Sequence, residues 1–182
     1  MRIAVCAFAG ALLLCGAAEA KTLVFCSEGN PESLNPQIAT TTTGINAGRP
    51  FFNNLVEFPP GSTVPGPSLA ESWEVSDDGL EYVFHLRHGV NFQSSDIFTP
   101  TREMNADDVL FSLERQWKED HPFHKVSGSN YDYFKDMGMP DLLQSIEKLD
   151  DYTVRIRLTH PAAPFLADLA MPFNIMPNVA AP

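Results

Sequence analysis

The stretch WEVSDDGLEYVFHL, residues 73–86, reads as two strands folded back on a tight turn. Trp73 and Val75 alternate with polar neighbours, and Ser76-Asp77-Asp78-Gly79 carries turn chemistry, with Gly79 able to take the positive φ that closes a short loop. On the return strand Tyr82, Phe84 and Leu86 share one face, while Glu81, Val83, His85 and Arg87 share the other. The device recurs downstream. Leu149-Asp150-Asp151 turns the chain, and Tyr152, Val154, Ile156 and Leu158 alternate with Thr153, Arg155 and Arg157. Two half-buried antiparallel hairpins are therefore expected. Between them a helix should start at Asn105, an N-cap residue, with Asp107 and Asp108 in the first turn where the helix dipole favours negative charge. Leu110, Leu113 and Trp117 follow at helical spacing. A second helix is expected over about residues 162–170, with Pro164 early, where its missing N–H costs least. Residues 22–25 read as a short strand, stopped by the turn cluster Ser27-Glu28-Gly29-Asn30-Pro31. Strands and helices mixed along the chain, with no internal repeat, make the fold class mixed α/β.

Upstream, Arg2 and the apolar run of residues 3–14, interrupted only by Gly10, describe an export leader. Ala18-Glu19-Ala20 places small residues where a signal peptidase reads them, so cleavage after Ala20 and a mature chain from Lys21 are expected. The run is too short for a spanning helix, which needs about 20 apolar residues. Acylation at Cys15 is disfavoured by Leu14, where that processing wants a small side chain. Loss of the leader removes one basic and one acidic residue, so the net charge stays at -11. Such an acidic chain has no electrostatic footprint for nucleic acid or an anionic membrane surface. The mature chain, residues 21–182, keeps a single cysteine, Cys26. Its apolar neighbours allow a buried thiol, and its export allows a disulfide to a partner beyond residue 182. The chain ends at Pro182 in an apolar, proline-punctuated stretch with no cap or charged tail, so a continuation is expected.

Chemistry-bearing patterns are few. His85 and His88 diverge on a strand, and His121 and His124, with Glu119 and Asp120 nearby, lack a third ligand at a metal-site spacing. No nucleophile elbow or phosphate loop is present. The acid pairs Asp77-Asp78, Asp107-Asp108 and Asp150-Asp151 sit at turns or a helix start, where local roles account for them. No catalytic residue, metal site or cofactor is therefore assigned. The unusual segment is Thr40, Thr41, Thr42 and Thr43 followed by Gly44. It offers hydroxyls and a backbone that a ligand can approach closely. On the residues alone, a polar surface loop is the simpler reading.

Five runs in this order carry a resemblance: CSEGNPESLNPQ (26–37), SLAESWEVSDDGLEYVFHLRHGVNF (68–92), MNADDVLFSLERQ (104–116), KVSGSNYDYF (125–134) and APFLADLAMPF (163–173). Together they resemble the dipeptide-binding branch of the oligopeptide/dipeptide/nickel solute-binding proteins that serve bacterial ABC importers. The resemblance spans essentially the mature chain, and family members are well over twice its length. It implies a periplasmic, type II two-lobe binding-protein fold, of which this chain holds part of the first lobe and an adjoining subdomain built partly from residues 105–158. It implies a monomer that captures a peptide ligand, without bond-making, and hands it to the membrane permease subunits. It raises Thr40, Thr41, Thr42, Thr43 and Gly44 to ligand-binding candidates at the cleft, and makes a disulfide from Cys26 to a later cysteine the favoured reading. The charged anchors for a zwitterionic peptide are implied to lie in the later half. Trp73 and Phe84 match positions that look like core. Capture of haem, nickel, an antimicrobial peptide or an oligosaccharide is open within the family. An exported hydrolase, a structural envelope protein or a truncated, functionless remnant are the readings outside it.

Overall fold

The computed structural model describes residues 24, 26–96, 98–126, 130–174 and 176. The leader, its cleavage position after Ala20 and most of the strand expected over residues 22–25 lie outside these residues. Val24, from that run, is exposed and in no strand.

In chain order the elements are α1 (Thr42–Gly48), β1 (Val56–Glu57), β2 (Gly66–Pro67), β3 (Ala70–Val75), β4 (Glu81–Leu86), α2 (Ala106–Trp117), α3 (Asp132–Asp136), α4 (Met139–Leu142), β5 (Leu143–Asp150), β6 (Thr153–Leu158) and α5 (Phe165–Leu169). The two expected hairpins form and join. β4 pairs with β6, giving a four-stranded antiparallel sheet in the order β3-β4-β6-β5. The turn between β3 and β4 is built as its residues require: Gly79 takes φ 69°, its N–H donates to Ser76 O at 2.8 Å, and the Asp78 carboxylate accepts from the Ser76 hydroxyl and the Leu80 N–H.

Register decides which side chains meet. Tyr82 faces Ile156, Phe84 faces Val154, and Ile146 lies opposite Ile156 on the other side. Their common face is the core, which α2 covers with Val109 and Leu113 and α5 with Phe165 and Leu169. The Phe165 ring meets Tyr82 edge-on, with centroids 4.7 Å apart. Fully burying each such side chain is worth about 1.5–3 kcal/mol. β3 is less covered than its alternation suggests. It is the edge strand, so Trp73 is only half-buried and Val75 is 46% exposed.

α2 begins where the sequence places it. Asn105 Oδ1 accepts from Asp107 N, and Asp108 Oδ2 accepts from Asn105 N at 2.9 Å, completing a reciprocal cap. Buried Asp108 also takes both Arg102 Nη atoms, at 2.6 and 3.1 Å. Lys148 joins Asp107 and Asp151, tying the helix start to the second hairpin turn. The last helix is shorter than expected, because a residue before proline is pushed out of the helical region. Pro164 therefore caps α5, and Ala162 and Ala163 stay outside it. Asn54 closes the fold from the other side, its Nδ2 donating to Leu169 O and Met171 O at 3.1 and 2.7 Å.

Candidate functional site

The threonine run is prepared by the turn before it. Asn35 Oδ1 accepts from Gln37 N, and the Asn35 carbonyl accepts from Ile38 N and Ala39 N, so the chain curls and buries Gln37 and Ala39. Gln37 Nε2 donates to Ser112 O at 3.1 Å, pinning the curl to α2. The run then does not form a loop throughout. Thr41 is the N-cap of α1, accepting from Gly44 N at 3.1 Å, and Thr42, Thr43 and Gly44 are the first turn of that helix. Threonine and glycine are poor helix formers, which is why the run reads as a loop from propensity alone. The cap overrides that preference.

The residue that organises the segment is Glu32. Its Oε1 accepts from Thr40 N and Thr41 N, both at 2.7 Å, and its Oε2 accepts from the Thr41 hydroxyl. The Thr41 hydroxyl, followed by the Thr41 and Thr40 amides, holds the Glu32 carboxyl down at about 2. Gly44 is what lets the carboxylate in, since a Cβ there would lie 2.5 Å from Glu32 Oε2. The close approach that glycine permits is thus used by a side chain of the same segment. Gly48 serves Pro36 in the same way, a Cβ there falling 2.4 Å from its Cγ. Tyr133, from α3, donates its hydroxyl to Thr40 O at 3.2 Å. Among the described residues nothing takes the hydroxyls of Thr42 and Thr43; Thr42 is exposed and Thr43 half-buried. The segment therefore presents a fixed carboxylate, two available hydroxyls and no cation.

Sequence reasoning missed Glu32 and Tyr133. Glu32 lies eight and nine residues before its partners, at no helical or strand period, and Tyr133 lies far along the chain. A long-range match of this kind leaves no local pattern.

The remaining candidates resolve locally. Cys26 is a free, exposed thiol among the described residues, so the structure does not support the buried-thiol reading; Val24, two residues before it, is also exposed. His124 is buried with Nδ1 2.7 Å from Arg115 O, while His121 Nδ1 accepts from Phe123 N. Burial lowers the His121 pKa. His85 pairs with Glu74 and His88 packs on Tyr152, so the two point apart. Among the described residues no cluster of three or more His, Cys, Asp or Glu could hold a metal ion. Asp150 accepts from Tyr152 N at 2.8 Å, a turn role like that of Asp78.

The described residues thus form an antiparallel sheet covered by helices, with the polar start of α1 beside it. The family described as "Bacterial extracellular solute-binding proteins, family 5 Middle" matches residues 64–181, and the chain belongs to this family, whose members bind solutes and are not enzymes. It is 54% identical over 164 residues to the dipeptide-binding protein of Escherichia coli, covering 90% of this chain and 31% of that protein. It is 52% identical over 153 residues to heme-binding protein A of Haemophilus influenzae, covering 84% of this chain and 28% of that one. Among solved structures, the dipeptide-binding protein of Pseudoalteromonas sp. SM9913 in complex with Met-Leu superposes with a TM-score of 0.79 at 38% identity, over 82% of this chain and 30% of that one. The mixed α/β fold is thus that of this class of binding protein, and the chain spans about a third of the length of its relatives.

Proposed function

We propose that this chain is the amino-terminal part of an exported substrate-binding component of an ABC importer, which captures dipeptides or other short peptides and delivers them to the membrane permease. The observation that carries the reading is the 54% identity, over 90% of this chain, to a protein that binds dipeptides. Residues 1–20 act as the leader, cleaved after Ala20, and residues 21–182 open the solute-binding domain of a periplasmic monomer. Thr40, Thr41, Thr42, Thr43 and Gly44 contribute one wall of the ligand site. Glu32 consumes the amides of Thr40 and Thr41, so the wall's offer to a ligand is the Thr42 and Thr43 hydroxyls. Neutral hydrogen bonds of this kind net about 0.5–1.5 kcal/mol each. They orient a peptide; the opposite charges that hold its two ends come from elsewhere in the full-length protein. Cys26, exposed at the start of the chain, pairs with a cysteine of that later part.

Haem capture is the second reading, favoured by the 52% identity to a heme-binding protein. Calorimetric titration of the full-length product with a dipeptide panel and with haem separates the two. Dipeptide binding without haem binding is the expected outcome. Haem binding alone would reverse it.

A further inference from the structure

Beside the threonine segment lies a cavity of about 230 Å3 lined by Ile45, Tyr133, Met171, Pro172 and Phe173. We propose that this cavity is a specificity pocket that takes one apolar side chain, aliphatic or aromatic, of a captured peptide. The inference rests on the peptide-capture reading.

Three observations carry it. The first is chemistry: no charged residue lines the cavity, and the one polar side chain among its lining residues, Tyr133, already donates its hydroxyl to Thr40 O at 3.2 Å. A polar side chain entering it would lose its water and find no partner. The second is size. A dry apolar cavity of about 150 Å3 suffices to bind benzene, so the volume here accommodates a leucyl or phenylalanyl side chain. The third is position. Ile45 lies three residues after Thr42, on the same side of α1, and Tyr133 bridges the cavity wall to the Thr40 backbone, so the cavity adjoins the segment that carries the Thr42 and Thr43 hydroxyls. A peptide whose backbone lies along those hydroxyls has a side chain within reach of the cavity. The walls are preformed: Tyr133 and Phe173 stack with centroids 6.2 Å apart and planes 15° from parallel. Phe173 is held in turn by Phe134.

The test is titration of the full-length protein with Ala-Leu, Ala-Phe, Ala-Ala and Ala-Asp and their reversed sequences. Leucyl and phenylalanyl peptides should bind about tenfold or more tighter than Ala-Ala, with the aspartyl peptides weakest. Ile45 and Met171 are half-buried, so Ile45→Lys and Met171→Glu can be made without opening the core, and unchanged melting temperatures would verify it. In Ile45→Lys the order should invert in favour of the aspartyl peptides, and in Met171→Glu the apolar preference should fall to about unity. Equal affinities across the parent panel, or variants that lower stability and leave selectivity untouched, would overturn the pocket while leaving peptide capture standing. The second of these results would mean that another part of the polypeptide fills the cavity. Failure of every dipeptide to bind would overturn both.

Discussion

At Gly44 a helix and a carboxylate compete for the same space. Alanine elsewhere in a helix is worth about 1 kcal/mol over glycine. Here its Cβ would lie 2.5–2.9 Å from the Glu32 carboxylate atoms, so Gly44→Ala is expected to destabilise, reversing the usual sign. Thermal melts of the two proteins decide it, and a higher melting temperature for the variant would show that the Glu32 carboxylate gives way at little cost. The same carboxylate should titrate near 2, below its usual 4.5. A group whose folded pKa is depressed adds stability that is present above the unfolded value and lost as pH falls through the folded one. Its contribution therefore holds above about pH 4.5 and disappears between there and about pH 2. Carboxyl NMR should find that midpoint in the parent, and Thr41→Val, lacking the hydroxyl that contributes most, should move it upward.

At the scale of elements, the start of α2 combines a reciprocal cap with an ion pair on one buried carboxylate. Asp108→Ala removes the acceptor for Asn105 N and strands the Arg102 guanidinium, and should cost roughly 2 kcal/mol. A shift in the urea midpoint at constant slope would measure it. This element was legible in the sequence, as were both hairpins, because caps, turns and alternation are written within a few residues of where they act. The pairing of β4 with β6, which makes one sheet of two hairpins, was not. It joins strands some seventy residues apart through register alone. α1 escaped for the opposite reason. Its local composition argues against a helix, and the cap that rescues it is completed by Glu32 from outside the helix. The shortened α5 was half legible: Pro164 marks a helix start in the sequence, while its exclusion of Ala163 rests on a backbone clash that composition does not display.

At the scale of the whole molecule, the proposed function gives this chain one face of a site. A few neutral hydrogen bonds cannot offset the loss of translational and rotational freedom on binding, at least about 4 kcal/mol. Residues 21–182 alone should therefore bind no dipeptide tighter than about 1 mM by calorimetry; micromolar binding would show that the site is misplaced. The Asn54 amide, which grips two carbonyls 115 and 117 residues further on, bears on something else: time. At about 5–20 residues per second, a ribosome needs on the order of ten seconds to travel from that amide to its acceptors. The segment around Asn54 cannot close until then, so it is among the last parts of the chain to settle. Closing a loop of 115 residues carries a high entropic cost, so this contact is expected to form after the folding transition state, and Asn54→Ala should quicken unfolding and leave the folding rate almost unchanged. Stopped-flow chevrons would show equal folding limbs and a raised unfolding limb. For a polypeptide exported as proposed above, such slow closure would be an asset, because it keeps the newly made chain open to the machinery that exports it.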